Sequence, residues 1–165
     1  MLQKKICMLG GSAVGKTSIV ARFVRSIFQD KYLTTVGVKI DRKPMDLDGQ
    51  QLNIMLWDIE GDDEFQNLSL QYLRGASGYL LVADGTRRPT LDQALMLQQT
   101  VQKELGELPF VLALNKADLK DQWLIKDEVM GELISKGWDI LETSAKTGQG
   151  VEEAFGRLAR GMLGV

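Results

Sequence analysis

The chain has 165 residues, 44% apolar and 25% charged, which is the size and balance of one ordinary globular domain able to bury its own core. A net charge of −2 leaves no basic excess for nucleic acid, and the single cysteine, Cys7, excludes an internal disulfide. Histidine is absent, so the commonest general base and transition-metal ligand are excluded. Chemistry here must use carboxylates, lysine, backbone amides or a hard cation.

In chain order, Ile6–Leu9 is a short apolar run ending at Gly10-Gly11, and helical spacing follows from Lys16 to Val24. Val36–Leu47 and Gln51–Asp58 read as strands joined by Asp48-Gly49, a hairpin signal. Gly78–Ala83 is continuously apolar, as a strand buried on both faces requires. Thr90–Leu105 reads as a helix opened by a Thr90/Gln93 capping box. Phe110–Leu114 is a second buried strand, Lys126–Lys136 a helix stopped by Gly137, and Trp138–Leu141 a short strand. Gly150–Leu163 is the last helix, with Val151, Ala154, Phe155, Leu158, Ala159 and Met162 on one stripe. Trp123 and Trp138 read as packing residues, and Cys7 as an inert buried thiol. This alternation predicts an α/β fold with a mostly parallel sheet, one antiparallel strand and helices on both faces. Ligands of such sheets bind at the carboxyl ends of the strands.

No apolar run reaches the roughly 18 residues of a membrane span. The start shows no signal peptide or myristoylation pattern, and Gly161–Val165 contains no prenylation cysteine. A cytoplasmic, monomeric protein with no membrane anchor in this chain and no nucleic-acid partner is the expectation.

The loop behind the first strand reads Gly10-Gly11-Ser12-Ala13-Val14-Gly15-Lys16-Thr17, the pattern G-x-x-x-x-G-K-[ST] between a strand and a helix. Glycines let backbone N–H groups close on phosphate oxygens, and the helix dipole points at the same anion. Ser12, Ala13, Val14, Gly15, Lys16, Thr17 and Ser18 are therefore the candidate phosphate binders. The Lys16 ammonium reaches the outer phosphates, and the Thr17 hydroxyl is a ligand suited to Mg²⁺.

Two later strand ends carry Asn115-Lys116-Ala117-Asp118 and Thr143-Ser144-Ala145-Lys146. The Asp118 carboxylate is an acceptor-only fork matching the N1–H and N2 amine of guanine, where adenine offers no donors. The stem of Lys116 can lie against the base, Asn115 can tie the two loops, and the Ala145 N–H can reach the guanine carbonyl.

With these motifs the chain resembles the Ras superfamily of small GTPases, most closely its Rab branch, over essentially its whole length. The resemblance rests on Gly10–Thr17, Thr35-Val36-Gly37, Trp57-Asp58-Ile59-Glu60-Gly61, Asn115–Asp118 and Ser144–Lys146. It implies one G domain of the P-loop NTPase fold over residues 1–165, six-stranded, binding GTP or GDP with Mg²⁺. It further implies that Thr17 and Thr35 ligate Mg²⁺, that Asp58 holds it through water, and that the Gly61 N–H meets the γ-phosphate. Phe28 packs against guanine, and Asn115, Lys116, Asp118, Ser144, Ala145 and Lys146 surround the base. Lys16, Thr35, Gly61 and the residue after it form the catalytic group. Residues about 30–39 and 58–74 are the switches that meet effectors, exchange factors and GTPase-activating proteins in signalling.

The sequence departs from the family at Ile59, Glu60 and Asp62. Asp62 stands where a water-orienting glutamine is usual, and positioning is most of this chemistry. Two like charges about 4 Å apart repel by about 4 kcal/mol at an effective dielectric near 20, less with exposure. Slow intrinsic hydrolysis is the expectation. A non-hydrolysing, nucleotide-bound interaction module is the alternative; a different P-loop enzyme is disfavoured by Asp118.

Overall fold

A computed structural model describes residues 2–26, 38–59 and 70–165. Strand β1 (Leu2–Gly10) leads into helix α1 (Lys16–Arg25), and β2 (Val38–Leu47) and β3 (Gln50–Ile59) form the hairpin. Then come β4 (Gly78–Asp84), α2 (Arg88–Leu105), β5 (Phe110–Asn115), α3 (Asp127–Ser135), β6 (Ile140–Glu142) and α4 (Val151–Leu163). The six strands lie in the order β2-β3-β1-β4-β5-β6. Among the described residues only the β2–β3 pair is antiparallel; β1 pairs in parallel with β3 and β4, and β5 with β4 and β6.

The two-residue period of a strand divides the core. Ile6 and Met8 face one side with Phe23 of α1 and Phe155 of α4, whose rings stack at 4.0 Å. Cys7 and Leu9 face the other, against Leu91, Ala94 and Leu97 of α2 and Leu133 of α3. Burial pushes the Cys7 thiol up to about 12, with Lys5 opposing more weakly, so it remains a protonated packing group. The hairpin turns on Asp48 (φ 53°) and Gly49 (φ 88°), both left-handed as a two-residue primed turn demands.

Two expectations need correction. Thr90 is not an N-cap: Arg87 holds that position, without a side-chain cap, and the helix opens through Arg88-Pro89. The Thr90 hydroxyl instead accepts the Asp84 N–H at 2.8 Å and donates to the Arg87 carbonyl at 2.6 Å, closing the β4–α2 turn. Strand β6 starts at Ile140, two residues later than expected, because the Trp138 backbone is taken up by the turn that closes α3. Its N–H donates to the Leu133 carbonyl at 3.1 Å and its ring meets Phe110 edge-on at 5.0 Å.

Candidate nucleotide site

The carboxyl ends of the parallel strands converge at one rim of the sheet. They carry the Gly10–Thr17 loop after β1, Asp58 near the end of β3, Asp84 ending β4, Asn115 ending β5, and Thr143-Ser144 after β6. These groups are polar and almost wholly buried: Lys16 is 6% exposed, Asp58 1%, Asp84 0%, Asn115 3% and Ser144 0%. Buried polar side chains are tolerated only with partners, and here the partners knit the loops together.

The glycine loop passes so close to its neighbours that side chains are excluded. A Cβ on Gly10 would lie 2.5 Å from the Val82 carbonyl oxygen. One on Gly15, whose φ is +106°, would lie 2.2 Å from Asn115 Nδ2. The Lys16 ammonium curls back over the loop and donates to the Gly10 and Gly11 carbonyls at 3.1 and 3.0 Å. Asn115 joins three segments: Nδ2 donates to the Val14 carbonyl at 3.0 Å, and Oδ1 accepts the Thr143 hydroxyl at 3.2 Å. Asp118 is exposed, and its Oδ1 accepts the Ser144 hydroxyl at 2.7 Å. Ser144 Oγ in turn accepts the Thr147 N–H at 3.1 Å. An exposed carboxylate is thus held in place from a buried hydroxyl.

The Ras family model matches residues 5–164. The chain is 34% identical over 158 residues to the GTP-binding protein ypt2 of Schizosaccharomyces pombe, covering 94% of this chain and 79% of that one. It is 32% identical over 161 residues to the human Ras-related protein Rab-8B, covering 96% and 78%. It is 33% identical over 159 residues to the Ras-related protein SEC4 of Saccharomyces cerevisiae, covering 94% and 73%.

The chain belongs to the Ras family.

Ras-family GTPases bind guanine nucleotide with Mg²⁺, and the residues present here fit that ion. Thr17 Oγ1 donates to Asp58 Oδ2 at 2.6 Å, which sets two hard oxygens side by side at the start of α1. No group of three His, Cys, Asp or Glu gathers among the described residues. One carboxylate and one hydroxyl suit Mg²⁺, which keeps waters and takes phosphate oxygens rather than an all-protein cage. Among the described residues no helix is long and apolar enough to cross a membrane.

Of the expected site residues, the structure places Ser12 to Ser18, Asp58, Asn115, Lys116, Asp118, Ser144, Ala145 and Lys146 on this one rim. Phe28, Thr35, Gly61 and Asp62, with Glu60, lie outside the described residues. So do residues 30–37 of the first expected switch and 60–69 of the second. The end of the second is tethered to β1: Lys5 Nζ donates to the Arg74 carbonyl at 2.7 Å and sits 3.5 Å above the Trp57 ring. Cys7 Sγ–H donates to the Tyr72 carbonyl at 3.6 Å.

Sequence reasoning missed several groups at this Ras-family site. Arg22 of α1 reaches across to the Ala145 carbonyl at 2.8 Å and also donates to that of Lys146. Trp123, expected only to pack, donates from Nε1 to the Lys116 carbonyl at 2.9 Å. Asp84 accepts an ion pair from Lys116 Nζ at 2.7 Å and hydrogen bonds from the Thr86 N–H and hydroxyl. A charged residue closing an otherwise apolar strand run was the one available signal for it.

Burial alone would raise the Asp84 pKa, but Lys116 and Thr86 outweigh it and hold the carboxyl below the usual carboxylate range. A depressed folded-state pKa adds stability that is fully present above the unfolded value of about 4. That stability is lost as pH falls through the folded value. Denaturant titrations between pH 7 and pH 3 should therefore show Asp84→Asn losing less stability below about pH 4 than the native chain. Parallel losses would refute this.

Proposed function

We propose that this chain is a guanine-nucleotide switch that binds GTP or GDP with Mg²⁺ and hydrolyses GTP slowly. The observation that carries the reading is the exposed Asp118 carboxylate held by Ser144, beside a glycine loop tied to the same strand end by Asn115. The carboxylate supplies paired acceptors for a base with adjacent donors, and the loop supplies N–H groups for phosphates. On binding, the Lys16 ammonium exchanges the Gly10 and Gly11 carbonyls for outer phosphate oxygens. Thr17 and Asp58 would hold Mg²⁺, Thr17 directly and Asp58 through water. Bound Mg²⁺ supplies neutralisation of charge on the outer phosphates.

The finer roles extend this reading. Ser12, Ala13, Val14, Gly15 and Ser18 line the phosphates; Phe28, Lys116, Ala145 and Lys146 enclose the base. Thr35 and Gly61 answer to the γ-phosphate, so residues about 30–39 and 58–74 present effectors, exchange factors and activating proteins with a nucleotide-dependent surface. The whole chain, 1–165, acts as one G domain, monomeric and cytoplasmic.

Slow turnover follows from Asp62. It lacks the amide donor of glutamine and brings a negative charge towards an anionic phosphate. In a single turnover, phosphate release from the GTP-loaded chain should be slow, and Asp62→Gln should speed it by at least tenfold. Fast native hydrolysis, or no gain in Asp62→Gln, would dispose of the idea. GTP held intact by both proteins would favour the non-hydrolysing interaction module.

A further inference from the structure

The turn between β4 and α2 carries charged groups that the motifs do not include. Asp84 is fully buried, and its Oδ2 lies 2.7 Å from Lys116 Nζ and 3.3 Å from Arg87 Nε. The far end of the same guanidinium reaches the glycine loop, where Arg87 Nη2 donates to the Ser12 carbonyl at 2.6 Å. One carboxylate therefore orients two cations. One belongs to the segment expected to hold the base, the other to a side chain bonded to the loop expected to hold the phosphates.

Each part of this arrangement is fixed from behind. The other Asp84 oxygen takes the Thr86 N–H and hydroxyl at 2.9 and 2.7 Å, and the Asp84 N–H goes to Thr90. Lys116 has a left-handed backbone, φ 72°, a conformation that costs a non-glycine residue about 1 kcal/mol and needs support. Trp123 supports it at the carbonyl and Asp84 at the ammonium. Ala13, next to Ser12, is also left-handed at φ 62°, so the Arg87 bond lands on the turn most in need of holding. Without the carboxylate, two neighbouring cations would repel and swing into water.

We propose that Asp84, Arg87 and Lys116 are positioning residues that couple the phosphate loop to the base-holding segment and so set how long the nucleotide stays bound. The inference rests on the guanine-nucleotide reading above. A bound nucleotide spans both segments, and local opening of either releases one end of it. With the tie in place the two ends open together; without it each opens alone, and release is faster.

The test loads the full chain with a fluorescent GDP analogue and Mg²⁺ and chases it with excess GDP. Arg87→Ala should release on the order of tenfold faster, reflecting loss of one half-exposed charge-assisted hydrogen bond. Arg87→Lys should recover part of the native rate. In an Asp84→Asn background, Arg87→Ala should add little, since the guanidinium has already lost its anchor. Amide exchange should quicken at residues 12–14 and 116–118 in Arg87→Ala and stay native along α4, a pattern that general destabilisation would not produce. A native release rate in Arg87→Ala, or full multiplication of the two effects, overturns the tie. If Asp84→Asn does not fold, the Arg87 variants and their exchange pattern decide alone. A native chain that retains no GDP overturns the proposed function instead. Exchange at residues 12–14 in the nucleotide-free proteins then decides the tie, faster in Arg87→Ala supporting it and unchanged overturning it.

Discussion

Asp118→Asn is expected to lower affinity for GDP by about 10⁴-fold, the discrimination available to a site built on paired hydrogen bonds. The substitution should leave the loop in place, because Asn Oδ1 can still accept the Ser144 hydroxyl that Asp118 accepts at 2.7 Å. Only the outward atom changes, from an acceptor to an amide donor. Guanine would then face it with donors of its own. Xanthine, which has a carbonyl where guanine has the amine, would face it with an acceptor. Competition titrations with GDP, XDP and ADP read this directly: GDP should fall, XDP should rise, and ADP should stay weak. GDP retained within tenfold and XDP no better would show that Asp118 does not read the base.

The second large effect is expected from Gly15→Ala. The added methyl would need to sit 2.2 Å from Asn115 Nδ2, on a backbone whose φ of +106° already disfavours a side chain. Asn115 would be displaced, and both of its buried hydrogen bonds, to Val14 and from Thr143, would go with it. Two such bonds and the backbone strain together amount to about 3–5 kcal/mol. The unfolding midpoint of the GDP-loaded protein should fall accordingly, and retained nucleotide should disappear during purification. Gly49→Ala separates the two causes, because Gly49 also has a positive φ, +88°, but nothing within 4 Å of the added carbon. It should cost about 1 kcal/mol. Equal losses at the two positions would remove Asn115 from the explanation. So would Gly15→Ala being as harmful in an Asn115→Ala background.

Much of this architecture was legible because the signals are local. The buried runs of β1, β4 and β5 show as short continuous apolar stretches, the hairpin as its Asp48-Gly49 dipeptide, and the stripe of α4 as a period of 3.6 residues. The Gly10–Thr17 loop and the Asn115–Asp118 segment were legible because their chemistry lies within a few consecutive residues. Thr90 misled because its hydroxyl, which has the chemistry of a helix cap, takes the Asp84 amide instead. Arg22 and Arg87 were invisible because their partners are 123 and 75 residues away in the chain. No spacing rule connects such pairs; only the strand order brings them together. The stem of Lys116 was legible as a side chain for the base, but the Asp84 partner of its ammonium, 32 residues earlier in the chain, was not. For Phe28, Thr35, Gly61 and Asp62, which lie outside the described residues, the sequence remains the whole of the argument.

The strand order also bears on how the protein is made. β1 lies between β3 and β4, so both of its neighbours follow it in the chain. It leaves the ribosome before either of them, and its nearest partner ends at Ile59, about 50 residues after Gly10. At ordinary elongation rates Ile6, Met8 and Leu9 stay without a mate for roughly 2–10 s, and longer until β4 arrives. Lys4 and Lys5, directly ahead of that apolar run, are charged gatekeepers against association of nascent chains during the wait.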